Sequence, residues 1–365
     1  MSNAFMNNNH YCVILAGGIG MRLWPSSRQN KPKQFIDILG NGETLLQSTY
    51  KRVAKLVSHE NILVTTNEQY IQLVRNQLPD VAESNLLLEP MRRNTLPSAT
   101  WATVEIMHRN RNAKVLVVPA DQILEREEGF DRDVQRAFDY IETHNKIISL
   151  GITPLAPETN YGYVQMGERQ DEQIFKVKTF VEKPDMEWAK VLQESGEFLW
   201  NTGIFIWSAQ TFIGYVHDRW MQFDDMISKV KADELDHETK RQIVEDVFAI
   251  CPNLTIEHVC LENNDVTDVM LAHFGWSDIG TWHAIYQKMP KDDDGNAVLA
   301  QNALLYECKE CLVKAENGKL IVVQGLNDYL VVDDANTLVI CRKDDEKAIR
   351  KFVNDIKVSM GDEFV

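Results

Sequence analysis

Short apolar runs alternate with amphipathic stretches over the first half of the chain. Four runs have the pattern of buried strands, at residues 11–16, 61–66, 85–90 and 113–121. The segments between them carry apolar residues at helical spacing, at residues 44–57, 68–78, 97–109 and 130–144. Strands that alternate with helices favour parallel β-α-β units, in which helices cover both faces of a twisted sheet. The pattern therefore predicts an α/β fold with a Rossmann-like, mainly parallel sheet.

The strand pattern becomes denser from about residue 146, which predicts that the sheet is mixed rather than purely parallel. Closely spaced strand-like runs occur at residues 146–152, 161–167, 174–184 and 199–209. A helical block is expected over 209–250, and residues 268–289 are expected to form a strand, a turn and a helix. These elements complete a large domain that we assign to residues 10–292.

The charged, glycine-bearing stretch at 291–297 is the candidate boundary of a second domain. Beyond it, short apolar runs recur at roughly ten-residue spacing, which is the pattern of a small all-β unit. The amphipathic segment at 344–357 predicts a closing helix. We assign residues 296–365 to this β-rich C-terminal unit and residues 1–9 to a disordered leader.

The formal net charge of −16 bears on the partners of the chain. Nucleic acids and anionic membranes need a basic surface, so the acidic balance argues against both as partners. No apolar run approaches the ~20 residues that span a bilayer, and the start of the chain lacks the pattern of a secretory signal. Six scattered cysteines fit a reducing cytoplasm, and the Cys308–Cys311 pair lacks the second half of a zinc site. We therefore expect a cytoplasmic protein.

The stretch "AGGIG" at residues 16–20, the glycine loop, directly follows the first predicted strand. Open α/β sheets bind ligands at the carboxyl ends of their strands, so this loop is expected at a ligand crevice. It is not a P-loop, and Leu23 stands where a dinucleotide fingerprint has its third glycine. Four cations follow it, namely Arg22, Arg28, Lys31 and Lys33. Two prolines stiffen the backbone around these cations. The combination favours phosphate binding over a turn with solvated surface cations.

The longer stretch "GGIGMRLWPSSRQNKPKQF" resembles the signature of the sugar-nucleotide pyrophosphorylases, or nucleotidylyltransferases, of general form G-G-x-G-x-R-L…P-K. Its "LWPSSR…PKQF" portion is similar to the mannose-1-phosphate guanylyltransferase branch of that family. The resemblance implies the nucleotide-diphospho-sugar transferase fold, with a catalytic domain over 10–292 and a β-helix-like C-terminal unit. It also implies a set of loop residues that bind the nucleotide, namely Ala16, Gly17, Gly18, Gly20 and Arg22. Arg22 and Lys33 are implied to be catalytic.

Residues 86–99 resemble the E-P-x-x-R-N-T-x-P-A stretch of the same family. The resemblance implies that Arg93, Asn94 and Thr95 bind the nucleotide. Asn94 and Thr95 also lie where a helix is predicted to begin, so capping of that helix is an alternative role for both side chains.

Two aspartates lie far apart in the chain, Asp121 at the end of a predicted strand and Asp278 in a glycine-rich turn. From the residues alone, a role of Asp121 as a loop residue or helix cap is as good an explanation as a role as a metal ligand. The resemblance implies that Asp121 and Asp278 are catalytic and together bind Mg²⁺. One or two carboxylates with substrate phosphates are a usual ligand set for this ion.

Three further motifs are similar to the sugar-phosphate site of the family. "FVEKP" contains Glu182 and Lys183, which the resemblance assigns to sugar hydroxyls and to phosphate, with an exposed ion pair as the alternative. Gly162 in "NYGYV" would let a sugar approach the backbone. Asn201 and Thr202 in "WNTGIFIW" are implied partners of sugar hydroxyls.

The reaction implied by the resemblance is transfer of GMP from GTP to α-D-mannose 1-phosphate, giving GDP-mannose and pyrophosphate. The sugar phosphate would attack the α-phosphorus in line, assisted by Mg²⁺. One alternative is a pyrophosphorylase for another pair, such as glucose 1-phosphate with UTP or dTTP. Another is a non-catalytic regulatory paralogue, which the intact set of Arg22, Lys33, Asp121 and Asp278 disfavours.

The expected partners are GTP and mannose 1-phosphate, with neither nucleic acid nor membrane. The C-terminal unit is too short for a fused phosphomannose isomerase barrel, so a single activity is expected. That unit is expected either to support a homodimer or to act as a passive cap over the edge of the sheet.

Overall fold

The structure, a computed structural model, describes residues 7–219, 237–262, 264–343 and 345–365. Its strands are β1 His10–Leu15, β2 Ile62–Asn67, β3 Leu86–Glu89, β4 Lys114–Pro119, β5 Gln122–Leu124, β6 Ile147–Ile152, β7 Gly162–Arg169, β8 Ile174–Glu182, β9 Phe198–Ser208, β10 Thr267–Leu271, β11 Trp276–Asp278, β12 Ala297–Leu299, β13 Asn302–Tyr306, β14 Leu312–Lys314, β15 Leu320–Gln324, β16 Tyr329–Asp334 and β17 Thr337–Arg342. Its helices are α1 Leu45–Val53, α2 Ile71–Gln77, α3 Thr95–Arg109, α4 Glu127–Thr143, α5 Met186–Ser195, α6 Ala209–Arg219, α7 His237–Ile250, α8 Ile256–Cys260, α9 Trp282–Lys288 and α10 Glu346–Met360.

Nine strands form one mixed sheet in the order β3-β2-β1-β4-β9-β6-β10-β8-β7. The four strands β3, β2, β1 and β4 are mutually parallel, so their carboxyl ends lie at one edge. Strand β9 runs antiparallel to both of its neighbours, β4 and β6. The predicted α/β class and the mixed sheet are confirmed, and four of the eight neighbouring strand pairs are parallel.

Strand β1 shows how the sheet acquires helices on both of its faces. Its side chains alternate between two buried clusters, with Cys12 and Ile14 in one and Tyr11 and Val13 in the other. The first cluster is completed by side chains of α1, α2, α4 and α5, and the second by side chains of α3, α6, α7 and α8. A strand whose alternating side chains are apolar on both faces therefore becomes central to the sheet, because both of its faces are covered.

The predicted elements of the first domain recur with ends shifted by a few residues. Thr44 caps α1 in a capping box with Gln47, which explains why that helix begins at Leu45. The predicted helical block at 209–250 contains α6 and α7, and its residues 220–236 lie outside the described part of the chain. Of the predicted leader, residues 1–6 lie outside it as well, and Asn7 accepts a hydrogen bond from the amide of His10 at 2.9 Å.

Two short strands that the sequence pattern did not predict, β5 and β11, pair in an antiparallel ribbon beside the main sheet. In this ribbon Asp278 stands opposite Gln122, the residue next to Asp121. The pairing therefore brings the two predicted metal-binding aspartates to the same place.

Residues beyond α9 form the C-terminal unit, in which β12, β14 and β16 are parallel neighbours and β13 pairs in parallel with β15. This stacking of successive chain turns agrees with the expected β-helix-like unit. Its apolar side chains share a core with Leu23, Trp24 and Trp282 of the first domain. Among the described residues, no helix combines the length and apolarity needed to cross a membrane.

The segment after the glycine loop attaches the C-terminal unit to the first domain. Trp24 Nε1 donates to the carbonyl oxygen of Phe364 at 2.7 Å, and Ser26 Oγ donates to Asp334 Oδ2 at 2.6 Å. Arg28 donates to the side chain of Asn336 at 2.8 Å and to the carbonyl of Asp334 at 3.0 Å. Arg28 was expected to supply phosphate-binding charge, but its guanidinium is engaged in this domain contact instead.

Candidate active site

A cleft of about 830 Å³ opens at the carboxyl ends of β1 to β4. Of the residues that the motif resemblance assigns to the site, all but Ala16 line it, whereas Arg28 and Lys31 of the cationic segment do not. Ala16 is 1% exposed, and its carbonyl accepts hydrogen bonds from Gln34 Nε2 and Thr66 Oγ1 at 2.8 and 2.9 Å. It supports the glycine loop from behind and presents no side chain to the cleft. Parallel strands that end at one edge thus gather motifs that are widely separated in the chain.

Gly20 has a positive φ of 66°, a conformation that favours glycine. A Cβ atom at this position would lie 2.8 Å from Lys33 Cγ. Gly18 differs, because a Cβ there would meet no atom within 4 Å. Gly20 therefore makes room for a neighbouring side chain, whereas Gly18 borders open space in the cleft.

Lys33 lies between two carboxylates that come from distant parts of the chain. Its Nζ is 2.9 Å from Asp121 Oδ2 and 3.1 Å from Asp278 Oδ1. The side chain of Lys33 is 7% exposed, whereas those of Asp121 and Asp278 are 30% and 25% exposed. We call these three residues the Lys33 centre.

The charges in the Lys33 centre stabilise one another. Burial by itself would lower the pKa of Lys33, but Asp121 and Asp278 outweigh it and hold that pKa above its ordinary value. Burial would likewise raise the pKa of Asp278, but Lys33 and Arg22 outweigh it and hold that pKa below its ordinary value. The centre therefore contains a charged ammonium group and an ionised Asp278 at neutral pH.

Arg22 lies next to the Lys33 centre, in a short 3-10 helix, Met21–Leu23, that follows the glycine loop. Its Nη1 donates to Asn160 Oδ1 at 2.8 Å, and its Nη2 lies 3.9 Å from Asp278 Oδ2. A Cβ atom on Gly280 would come within 2.7 Å of Arg22 Nη2. The guanidinium is thus held in one position at the wall of the cleft, with charge available to an anion.

The residues of the predicted nucleotide motif line the cleft, but two of them also make structural contacts. Arg93 donates to the carbonyls of Phe248 and Ala249 at 2.7 and 2.9 Å. Thr95 Oγ1 accepts from the amide of Ile256 at 3.0 Å, which ties the start of α3 to the start of α8. Asn94 is exposed at the N-cap position and makes no side-chain capping bond. Helix capping, the alternative considered from sequence, is therefore not the role of the Asn94 side chain.

At the other end of the cleft, Lys183 Nζ lies 2.5 Å from Glu182 Oε1, and both side chains are about half exposed. Asn201 accepts from Ser149 Oγ at 3.1 Å and donates to Glu257 Oε1 at 3.3 Å. Thr202 is 1% exposed, and its hydroxyl donates to the carbonyl of Leu150 at 2.7 Å. The hydroxyl of Thr202 is therefore engaged with the backbone, which was not expected of a residue that binds sugar hydroxyls.

Gly162 allows close packing at the same end of the cleft. A Cβ atom there would lie 2.7 Å from the ring of Phe180 and 3.0 Å from Glu182 Oε2. The missing side chain thus leaves space for the ring of Phe180 and the carboxylate of Glu182.

Several cleft residues were missed from the sequence, and Glu89 is the most buried acid among them. It ends β3, is 4% exposed, and faces Gly17, whose added Cβ would lie 3.4 Å from its Oε2. Burial raises the pKa of Glu89 to about 7. Glu257 also lines the cleft, and burial raises its pKa too. Glu89 was within a recognised motif, so its position at a strand end was the signal that could have identified it.

The two carboxylates of the Lys33 centre are suitable ligands for a hard divalent cation. Two carboxylate oxygens lie about 3 Å from one nitrogen, so they converge on a small volume, and both side chains are partly open to the cleft. Carboxylate oxygens are the ligands that Mg²⁺ prefers, with substrate phosphates and water completing its shell. In the described ranges no three His, Cys, Asp or Glu side chains group together as a metal site, so a cation at this position would have only the two carboxylates of Asp121 and Asp278 as protein ligands.

Comparison with known proteins agrees with this geometry. The sequence model of the nucleotidyl transferase family matches residues 11–295. The chain belongs to the nucleotidyl transferase family. A second model, of the MannoseP isomerase/GMP-like beta-helix domain, matches residues 301–356. The first match therefore covers the domain that contains the cleft, and the second covers most of the C-terminal unit.

Individual members of the nucleotidyl transferase family resemble the chain over most of its length. A mannose-1-phosphate guanylyltransferase of Salmonella montevideo is 33% identical over 361 residues, which are 97% of this chain and 75% of that protein. The alginate biosynthesis protein AlgA of Pseudomonas aeruginosa is 32% identical over 350 residues, 94% of this chain and 71% of that protein. The resemblance to the mannose-1-phosphate guanylyltransferase branch is thereby confirmed.

A solved structure agrees with the same family assignment. A Thermus thermophilus protein described as a mannose-1-phosphate geranyltransferase superimposes with a TM-score of 0.84 at 28% identity. The match covers 96% of this chain and 99% of that one. The two domains of this chain therefore have counterparts in one solved protein.

Proposed function

We propose that the protein transfers GMP from GTP to α-D-mannose 1-phosphate, giving GDP-mannose and pyrophosphate. The observation that carries the proposal is the Lys33 centre, in which Lys33 Nζ lies 2.9 and 3.1 Å from two carboxylates beside Arg22. Such a set of fixed charges suits a reaction between two phosphate anions, because positioning and charge neutralisation are what that reaction needs. The identity of base and sugar rests on relatives such as the Salmonella enzyme.

In this reaction a phosphate oxygen of the sugar phosphate bonds to the α-phosphorus of GTP, and the bond from that phosphorus to the bridging oxygen of pyrophosphate breaks. The attacking oxygen is already an anion, so no side chain has to remove a proton. Arg22 is held by Asn160 in the space that Gly280 leaves, and it offers a guanidinium to the charge that develops on the phosphates. Lys33 supplies a second fixed positive charge that burial has not neutralised.

We further propose that Asp121 and Asp278 hold Mg²⁺. When bound, this ion would supply charge neutralisation at the phosphate oxygens. Lys33 keeps the two carboxylates together, since it contacts both of them. The partial exposure of both aspartates leaves oxygens available on the cleft side.

Sugar phosphate is proposed to bind at the end of the cleft that contains Glu182 and Lys183. Lys183 would meet the phosphate, and Glu182 and Asn201 would accept hydrogen bonds from sugar hydroxyls. Glu257, which accepts from Asn201 at 3.3 Å, adds a second carboxylate near the sugar. Thr202 forms part of the cleft wall, since its hydroxyl donates to the carbonyl of Leu150 and its own carbonyl accepts from Gln122 Nε2. The remaining role of Arg93, Asn94 and Thr95 is to form the wall on the nucleotide side.

Release of pyrophosphate by the purified protein tests the proposal. The protein is supplied with each of the four common nucleoside triphosphates and with mannose 1-phosphate, glucose 1-phosphate or no sugar phosphate. We expect release with GTP and mannose 1-phosphate well above every other pair. Preference for glucose 1-phosphate with UTP or dTTP would replace this proposal by the other pyrophosphorylase reaction, and no release with any pair would favour a regulatory role.

We propose that two copies of the chain associate through the C-terminal unit. Four exposed apolar side chains lie on the outward face of β13 and β15, where Leu304 stands opposite Val322 in the register of the two strands. Tyr306 and Leu320 extend this surface at its two ends, with exposed fractions of 52% and 65%. Contiguous exposed apolar side chains of this kind are typical of contact surfaces between proteins. A cytoplasmic location remains the expectation from the sequence.

A further inference from the structure

Arg350 is the one residue of the C-terminal unit that lines the cleft, among the residues the structure describes. It lies in α10, the helix that closes the chain, and its side chain is exposed. The first domain supplies all the other lining residues, from Leu15 to Gly280. The C-terminal unit therefore does more than cover the edge of the sheet, because it presents a cation to the cleft.

The orientation of α10 is set by the residues on either side of Arg350. Ile349 and Val353 are 4% and 6% exposed and pack in the core that also contains Leu23 and Trp24. The carbonyl of Phe364, just beyond the helix, accepts from Trp24 Nε1 at 2.7 Å. These contacts pack α10 against the 3-10 helix that carries Arg22. Arg350 is consequently held at the end of the cleft where the glycine loop and Arg22 lie.

Arg350 also differs from the other cations of the cleft in its partners. Six cationic side chains line the cleft: Arg22, Lys33, Arg92, Arg93, Lys183 and Arg350. The first five each contact a neighbour, namely Asn160, the two aspartates, Tyr70, two backbone carbonyls and Glu182. Arg350 makes no hydrogen bond or ion pair with any residue in the described part of the chain.

A cation that has no partner among the described residues can bind an anionic ligand in this cleft. Five acids line it as well, namely Glu89, Asp121, Glu182, Glu257 and Asp278, so its own side chains nearly balance in charge. A nucleoside triphosphate and a sugar phosphate would add several negative charges. Arginine binds phosphate through two parallel N–H donors, which suits the end of a flexible polyphosphate.

We infer that Arg350 binds the β- and γ-phosphates of the nucleotide, the part that leaves as pyrophosphate. The inference rests on the proposed function, since it assigns a contact to that same substrate. Arg350 forms no covalent bond and moves no proton; it neutralises the charge that passes to the leaving group. The C-terminal unit thereby completes the triphosphate site, and its docking on Trp24 and Arg28 strengthens the binding of the triphosphate.

The test compares Arg350→Ala with Lys351→Ala, a matched variant that removes an exposed cation one residue further along α10 and outside the cleft. Dissociation constants are measured for GTP and for GMP, which lacks the β- and γ-phosphates, together with the KM for pyrophosphate in the reverse reaction. We expect Arg350→Ala to weaken GTP binding and to raise the KM for pyrophosphate about tenfold, the size of one charge-assisted contact. GMP binding should be unchanged, Arg350→Lys should restore part of the loss, and Lys351→Ala should match the wild type.

Equal GTP binding by Arg350→Ala and the wild type would overturn the inference. An equal loss of GTP and GMP binding would also overturn it, because that result would mean a general disturbance of the domain contact. Failure of the proposed function looks different, since the wild type itself would then release no pyrophosphate from GTP and mannose 1-phosphate. The binding comparison of GTP with GMP needs no turnover, so the two failures are distinguishable.

Discussion

Lys33 Nζ lies 3.1 Å from Asp278 Oδ1, although 245 positions separate the two residues in the chain. The contact depends on the β5–β11 ribbon, which places Asp278 beside Asp121, and on Gly20, which leaves room for the Lys33 stem. A buried ammonium group is stable here because two carboxylates offset the cost of its removal from water. The same three charges define the place at which phosphates are expected to react.

Replacing Arg22 by alanine should lower kcat by about 10²–10³, the usual effect of losing one group that stabilises transition-state charge. The fold should be retained, because Arg22 is partly exposed and contacts the cleft wall. Steady-state kinetics and circular dichroism measure the two effects. Lys31→Ala is the matched control, since Lys31 is exposed and outside the cleft. If the kcat of Arg22→Ala equalled that of the wild type, Arg22 would have no role in the mechanism.

Asp278→Asn should abolish activity at limiting Mg²⁺, because the substitution removes one of two proposed carboxylate ligands. The measurement is a titration of the rate with Mg²⁺ for the variant and the wild type. Asp293→Asn serves as the control, since Asp293 is an exposed aspartate in the loop before the C-terminal unit. A variant whose dependence on Mg²⁺ equals that of the wild type would show that Asp278 is not a ligand.

Gly20→Ala should destabilise the protein by roughly 1–2 kcal/mol from the left-handed backbone alone. The added Cβ would also lie 2.8 Å from Lys33 Cγ, so kcat should fall as the Lys33 centre is displaced. Gly18→Ala is the paired control for stability, because its Cβ would meet nothing within 4 Å. Thermal unfolding of both variants gives the comparison, and equal Tm values for the two would rule out the crowding at Gly20.

The β5–β11 ribbon illustrates what could not be predicted from the sequence. The alternation of strands and helices, the mixed sheet and the small β-rich unit were all predictable, because each follows from periodicity and turn residues within a short window. A three-residue strand carries no such pattern, and its partner lies more than a hundred residues away. The motif resemblance named Asp121 and Asp278, but only the pairing of the strands explains why they meet.

Side-chain partners were equally inaccessible from sequence. Arg28 and Thr95 lie in motifs associated with nucleotide binding, yet they bond to Asn336 and to the amide of Ile256. A sequence motif shows which residue type occupies a position, but it does not show which neighbouring group that side chain contacts. Arg350 was missed for a related reason, since it belongs to a helix with no motif and reaches the cleft only through the domain contact.

Glu89→Gln should change stability in a pH-dependent way. Folding raises the pKa of Glu89 from 4.5 to about 7 through burial, so between these values the folded protein binds more protons than the unfolded chain. The contribution of Glu89 to stability therefore falls as pH rises through this interval, by up to about 3 kcal/mol. The Tm of Glu89→Gln relative to the wild type should consequently be higher at pH 8 than at pH 5. The same Tm difference at both pH values would contradict the raised pKa.

Leu304→Asp should convert a dimer into a monomer, because it places a charge in the centre of the apolar surface on β13 and β15. Sedimentation equilibrium measures the mass in solution, and kcat should stay at the wild-type value. Leu155→Asp is the control, since Leu155 is 84% exposed and lies in the first domain. A monomeric wild-type protein, or a dimer that persists in Leu304→Asp, would show that this surface is not the dimer interface.

The most direct measurement of the central claim is phosphorus NMR of the purified protein mixed with GTP, mannose 1-phosphate and Mg²⁺. We predict that GDP-mannose and pyrophosphate appear in equal amounts, that neither appears without mannose 1-phosphate, and that Asp278→Asn produces neither at limiting Mg²⁺. Hydrolysis of GTP without formation of a sugar nucleotide, or equal product formation by Asp278→Asn, would contradict the assignment of nucleotidyl transfer to the Lys33 centre.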